Sequence, residues 1–288
     1  MRRVIALLVV VAVVAVGAFA ATAWIGGGGD AAAPPPPTTT GLPRLAQLKI
    51  IFPEGFTVRE MADRVAAVRR IAIDKRGVTP RLTRAAYLRA VKDALPPPRF
   101  RKDAKHGSLE GFLFPASYDF TQKSSAGELV SGQLRAFRQR FGAVDLRYAR
   151  SKNLTPYDVL IIASMIEKET AVPRERRLVA AVIYNRLRNR MPLGIDATIR
   201  YGLDIPGTES LTKAALRSDS PYNTRLRPGL PPTPIANPGL ASIKAAASPA
   251  RNVDYLYYVR KPHSLTHYFT ANESDFLRKV CEYGYACN

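Results

Sequence analysis

The chemistry in this chain centres on residues 158–170, DVLIIASMIEKET, where two carboxylates follow a long apolar run. A carboxyl at the end of a buried helix is held protonated by desolvation, the property a general acid needs near neutral pH. At about 100° per residue, Glu167 and Glu169 point about 160° apart around the helix. They cannot face one substrate as an acid/base dyad, so one would serve chemistry and the other structure. Angle alone does not choose between them: Glu169 lies beside Ile162 and Met165, and Glu167 beside Leu160 and Ser164. For either, the alternative is an ion pair with Lys168 or a nearby arginine at the helix end.

Several elements must place this acid. Thr155-Pro156-Tyr157-Asp158 reads as a helix start, with a capping Thr, Pro at the first helical position and an acid at the third. The pattern predicts a helix to Thr170 and a second from about 174 to 189. Upstream, Leu48–Phe52 suits a strand. Thr57 and Glu60 form a capping-box pair ahead of an apolar stripe of Met61, Val65 and Val68, and helices are expected over 82–95 and 126–141. Residues 108–120, SLEGFLFPASYDF, are aromatic and turn-rich. Beyond Met191 the chain is rich in Pro, Gly, Asn and Thr, with a short helix expected near 238–247 and a strand pair at 255–259 and 267–270.

The N-terminus addresses the compartment. Arg2 and Arg3 precede 22 residues, Val4 to Ile25, without a charge. That is the length of a membrane-spanning helix, oriented with the arginines in the cytoplasm and the body outside. A cleaved signal peptide is the rival, since Ala18-Phe19-Ala20 and Ala21-Thr22-Ala23 have the small-x-small pattern. Either way the body is exported. Residues 26–46 form a Gly-, Ala-, Pro- and Thr-rich linker.

The 288 residues carry 43 Lys+Arg against 23 Asp+Glu, a net charge of +20. Residues 48–153 hold 22 basic and 10 acidic side chains, and residues 154–288 hold 18 and 12. Such an excess favours a polyanion. Export, and the lack of a basic-aromatic recognition motif, remove most of the case for nucleic acid and leave anionic lipid or wall polymer, or simply a solvated basic surface. The two cysteines, Cys281 and Cys287, cannot form a disulfide scaffold or a four-thiolate zinc site, though they suit a small C-terminal disulfide loop. The sparse histidines give no metal centre, and His267 reads as a packed or hydrogen-bonded strand residue.

IIASMIEKETAV and ERRLVAAVIYNRLRNRMPLGIDATIRYG resemble the central signature of the YceG-like endolytic murein transglycosylases (the MltG family). The likeness continues through SDSPYNTRLRPGLPPTPIANPGLASIKAAASPA, DYLYYV and THYFT, and upstream in PEGFTVREMADRV and LEGFLFPASYDF. It implies cleavage of peptidoglycan between N-acetylmuramic acid and N-acetylglucosamine, leaving 1,6-anhydro ends, with Glu169, the second Glu of E-K-E-T, as the recycling acid/base. It implies no metal or organic cofactor. Asn185, Asp196, Thr198, Tyr201, Ser220, Tyr222, Asn223 and Thr224 lie in family-like blocks and have the hydroxyl, amide and aromatic chemistry of a sugar groove. The competing assignment is to caps and turn hydrogen bonds. Glu110 and Tyr118 are candidate cleft-wall residues, Glu167 a supporting one, and one of Arg186, Arg188 and Arg190 would meet muramoyl lactyl or stem-peptide carboxylates.

The expected fold is α+β, a lysozyme-like or YceG-like catalytic domain over residues 101–288. Before it come a reduced βα accessory region over 47–100, where members commonly carry a LysM-like subdomain, and a single transmembrane helix over 1–25. The expected protein is a single-pass cell-membrane enzyme with its catalytic domain extracytoplasmic. Its partners would be nascent glycan strands and cell wall synthesis proteins. A non-catalytic wall-binding or scaffolding protein is the main alternative.

Overall fold

The capping residues do what their spacing predicts. In the computed structural model, which describes residues 46–104 and 107–285, Thr57 caps α1 (Val58–Arg76), with Glu60 closing the box, and Gly77 ends the helix in the left-handed conformation. Ahead of it runs β1 (Leu48–Ile51); after it come α2 (Arg84–Asp93) and a 3-10 turn at Pro98–Phe100. The aromatic turn segment comes next, then β2 (Ser117–Phe120), α3 (Ala126–Gly142) and the short α4 (Arg147–Arg150). β1 and β2 pair antiparallel from Leu48 opposite Phe120 to Ile51 opposite Ser117. The sheet therefore joins the expected accessory region to the segment after it.

α5 (Pro156–Glu169) starts as the sequence indicates. Thr155 Oγ1 accepts the Asp158 N–H at 3.1 Å, and Asp158 Oδ2 accepts the Thr155 N–H at 2.7 Å. Residues Val159–Ile166 are all buried, which a helix packed on most of its circumference requires. A 3-10 turn at Pro173–Glu175 leads into α6 (Arg176–Arg188). Next come α7 (Asp196–Leu203), α8 (Lys213–Leu216) and α9 (Leu240–Ala247), then β3 (Tyr257–Arg260), β4 (His267–Thr270) and α10 (Glu273–Glu282). β3 and β4 form a second antiparallel pair. α5 packs against α6 and α9.

One hydrophobic core runs through this body. Phe100, Phe112, Phe137, Phe141 and Tyr157 interlock with ring centroids 5.1–6.0 Å apart, each buried ring contributing about 1.5–3 kcal/mol. Ser164, buried inside α5, donates to Ile161 O and accepts the Ile235 N–H at 3.0 Å, fastening the proline-rich loop to the helix. Gly111 sits at φ +89°, where a Cβ would lie 2.7 Å from Pro234, so this close approach admits only glycine.

Four helices are additions to the expected elements, the single-turn α4 among them. α7 begins at Ile195 without a side-chain cap and ends at Asp204 in the left-handed region, so it lacks the usual signals at both ends. α8 is a single turn capped by Thr212. α10 is capped by Asn272, whose side chain accepts the Asp275 N–H. Among the described residues no helix is long and apolar enough to cross a membrane. The expected anchor over 1–25 and the linker through residue 45 lie outside the described residues.

Candidate active site

Glu169 is the last residue of α5, and extended backbone at Thr170 (φ −130°, ψ 126°) ends the helix there. Its surface is partly open, while its carboxyl is packed deeply enough that burial raises its pKa above the ordinary value. The negative charge of Asp196 raises it further. A hydrogen bond from Tyr258 and the charges of His267 and Arg225 pull it back down. Tyr258 Oη donates to Glu169 Oε2 at 2.8 Å.

Tyr258 is itself held from behind. Its ring, on β3, meets the His267 ring of β4 at 5.4 Å and 88°. His267 Nδ1 lies 2.8 Å from Glu175 Oε2, and its backbone N–H donates to Glu175 Oε1 at 3.1 Å. The His267 and Glu175 side chains are buried, so the imidazole has the hydrogen-bonded structural place expected of it. Burial and the neighbouring Glu169 push the Tyr258 phenol well above its normal pKa, so it remains a donor. Four elements, the Pro173–Glu175 turn, β4, β3 and α5, thus fix one carboxyl oxygen.

Asp196 opens α7 and pairs with Arg225 at 2.7 Å. The arrangement combines a carboxyl biased towards its neutral form with a guanidinium-paired carboxylate near enough to act on it.

Glu167 faces a different set of partners. Its Oε2 accepts the Gly239 N–H at the start of α9 at 2.9 Å, and Oε1 lies 3.8 Å from Arg176. Glu54 packs directly on Gly239, leaving no room for a Cβ. Burial, then the Glu167 charge, raises the Glu54 pKa. Helix-end pairing, an alternative for both acids from sequence, is therefore the place of Glu167.

The expected glycan-contact residues divide in two. Thr198, Asn223 and Thr224 are 0–2% exposed. Thr198 and Thr224 share a 2.9 Å hydroxyl contact, and the Asn223 amide donates to Leu216 O and Ser218 O. Asn185 is also buried, and its amide donates to the carbonyls of Val253 and Tyr255. Thr198, Asn223 and Thr224 are paired within the protein, as polar groups this deep must be, and brace turns; the Asn185 amide N–H groups are likewise spent on loop carbonyls.

Tyr201 and Tyr222 are partly exposed and pack edge to face at 5.2 Å. Tyr201 donates to Glu110 at 3.3 Å, Tyr222 shares a 2.8 Å hydrogen bond with Thr233, and the Ser220 hydroxyl accepts the Tyr222 N–H. Glu110, placed on the cleft wall by sequence, is buried; it accepts from Val58 N, Asn237 Nδ2 and Tyr201 Oη. Burial drives its pKa up to about 8 despite those donors. Tyr118 donates to Phe114 O at 2.7 Å.

Arg186 is a loop clamp, donating to the carbonyls of Leu256, Pro192 and Leu193. Cys281 lies in the last turn of α10, and Cys287 lies outside the described residues. Among the described residues no group of three or more His, Cys, Asp or Glu is placed to hold a metal ion. Sequence reasoning passed over Tyr258, Arg225 and Glu175 as site residues, although Tyr258 stands within DYLYYV and Glu175 opens the ERRLVAAV block.

Known proteins resemble the chain over most of its length. The family model described as YceG-like matches residues 38–282. An endolytic murein transglycosylase of Streptococcus pneumoniae is 31% identical over 264 residues, covering 84% of this chain and 45% of that protein. An endolytic murein transglycosylase of Bacillus subtilis is 37% identical over 163 residues, 56% of this chain and 44% of that protein. The chain spans under half the length of these curated relatives. A crystal structure of a yceG-like protein from Listeria monocytogenes aligns with a TM-score of 0.64 at 29% identity, over 81% of this chain and 76% of that one.

Proposed function

The chain belongs to the YceG-like family, and from that premise we propose that it is an endolytic lytic transglycosylase of peptidoglycan with Glu169 as its acid/base. The observation that carries this is the Glu169 carboxyl itself: partly accessible, biased towards protonation by burial, and held through one oxygen by Tyr258. The other oxygen is left to carry the mobile proton. Glu169 gives that proton to the oxygen bridging N-acetylmuramic acid and N-acetylglucosamine as positive charge develops on the muramoyl ring. The anomeric carbon–oxygen bond breaks and Glu169 becomes a carboxylate. It then takes the proton of the muramoyl 6-hydroxyl, whose oxygen attacks the anomeric carbon and closes the 1,6-anhydro ring. Protons balance over the cycle and no water is consumed.

The supporting groups fit these steps. The Tyr258 donor stabilises Glu169 while it is anionic, between the two proton transfers. Asp196, paired with Arg225, raises the Glu169 pKa, so favouring the protonated start, and places a carboxylate near the developing cation. Ordinary glycoside hydrolases use two carboxyls on opposite sides of the bond, about 5–9.5 Å apart. Glu167 is committed to Gly239 and Arg176 and does not fill that role. Tyr201, Ser220 and Tyr222 are the sugar-facing residues of this reading; Asn185, Thr198, Asn223 and Thr224 shape the loops around them.

The charge-free N-terminal stretch supports a single-pass anchor holding the catalytic body outside the membrane, near nascent strands and the proteins that make them.

The test is digestion of purified peptidoglycan by the wild type, Glu169→Gln and Glu167→Gln, with product ends read by mass spectrometry. Anhydro-ended fragments from the wild type should fall about 1,000-fold or more in Glu169→Gln, within the span of general acid–base catalysis, and persist in Glu167→Gln. Reducing ends would make the protein a hydrolase. Loss only in Glu167→Gln would move the acid, and no fragments at all would favour the wall-binding scaffold.

A further inference from the structure

On the face of α6 that carries Asn185 lies an open cavity of about 460 Å³, lined by Tyr148, Tyr184, Arg188 and residues 249–253. Its polar groups are of two kinds. Arg188 and Arg251 stand exposed at its edge, with no acidic partner among the described residues. The Arg251 guanidinium lies 5.8 Å from the Tyr148 ring centre, and the Lys152 ammonium lies 5.5 Å from the same centre. Of these cations, Arg188 and Arg251 line the cavity itself, where each guanidinium can pair with an anionic group. The second kind is an acceptor. Asn185 spends both amide hydrogens on Val253 O and Tyr255 O, while its Oδ1 accepts no hydrogen bond among the described residues.

Cations, an unfilled acceptor and aromatic walls together match a ligand with carboxylates, N–H donors and small apolar side chains. A phosphodiester supplies no hydrogen-bond donor for Asn185. We propose that this cavity is a subsite for a short acidic peptide, and, resting on the peptidoglycan reading above, that it takes the peptide carried by the glycan strand being cut. The chain itself connects the two places. Tyr255, whose carbonyl Asn185 holds, is three residues from Tyr258, which holds Glu169, a separation of at most about 11 Å along the backbone. A peptide of about four residues, extended from a sugar at Glu169, covers such a distance. Arg188 is thus one of the arginines suited to stem carboxylates, whereas Arg186 is occupied by loop carbonyls.

The test is calorimetric titration of the full chain in detergent with N-acetyl-Ala-Glu carrying both carboxylates, and with its neutral counterpart N-acetyl-Ala-Gln amide. The charged dipeptide should bind at least tenfold more tightly than the neutral one. Arg188→Gln/Arg251→Gln should erase that difference while keeping the wild-type melting profile. Equal affinities in the wild type, or an undiminished difference in the double variant, would overturn the subsite. A wild type that yields no anhydro ends would instead remove the lyase reading, which the peptide titration does not measure.

Discussion

At the scale of single residues, the site is a partition of two carboxylates that sequence places two positions apart. Glu169 meets a phenol, and Glu167 meets a helix N-terminus and an arginine. Tyr258→Phe should lower turnover about tenfold, less than the full contribution of a general acid–base group. It should also move the descending limb of the pH–rate profile to higher pH. The sign comes from the bond: Tyr258 stabilises the Glu169 anion and lowers its pKa, so removing the hydroxyl raises it. A profile that keeps its limb while activity falls would assign Tyr258 to packing alone. The E-K-E-T motif marks Glu169, the proposed acid, in the sequence. Its partner was not legible there, because Tyr255, Tyr257 and Tyr258 offer the same chemistry and only the strand's facing selects one. Asn185, Thr198, Asn223 and Thr224 posed the opposite difficulty, since hydroxyls and amides suit sugars and turns equally and burial decides between them.

At the scale of elements, helix starts with reciprocal caps were the most readable features. Thr57/Glu60 and Thr155/Asp158 form boxes at the expected positions. α7 was hidden because neither terminus has a strong side-chain signal. α10 had a signal in Asn272 with acids after it, but it buries no residue fully and so lacks a clear core-facing run. The loop contacts between elements were outside the reach of pattern reading. Gly111, in the left-handed region against Pro234, is the strongest of these. Gly111→Ala should cost about 1–3 kcal/mol through backbone strain and the forced displacement of Pro234. A lowered denaturant midpoint with an unchanged slope is the expected result.

At the scale of the whole molecule, the +20 charge is spread over a body whose described ion pairs lie mostly at the surface, where each contributes little. The larger electrostatic effect on stability comes from within. Glu110 links the start of α1, Tyr201 of α7 and Asn237, and its pKa is raised from 4.5 to about 8. Between those values the folded state holds a proton that the unfolded state has released. Its stabilising contribution is therefore complete below about pH 4.5 and is lost as pH rises through about 8. Melting temperatures measured from about pH 5 to about pH 9 should fall as pH rises in the wild type and stay flatter in Glu110→Gln. A wild-type slope retained in the variant would place the titration elsewhere.

The register of Leu48 opposite Phe120 bears on how the molecule tolerates being divided. Ile50, Phe52, Met61 and Tyr87 lie in the same core as Phe112 and Phe137, so the first strand and two helices are interwoven with the later elements. Two separately expressed pieces, ending and beginning within residues 101–107, would each expose half of an interior and one unpaired strand edge. Mixed together, they have the complementary surfaces to reassemble, and recovery of a cooperative melting transition, and of the proposed glycan cleavage, would measure that complementation.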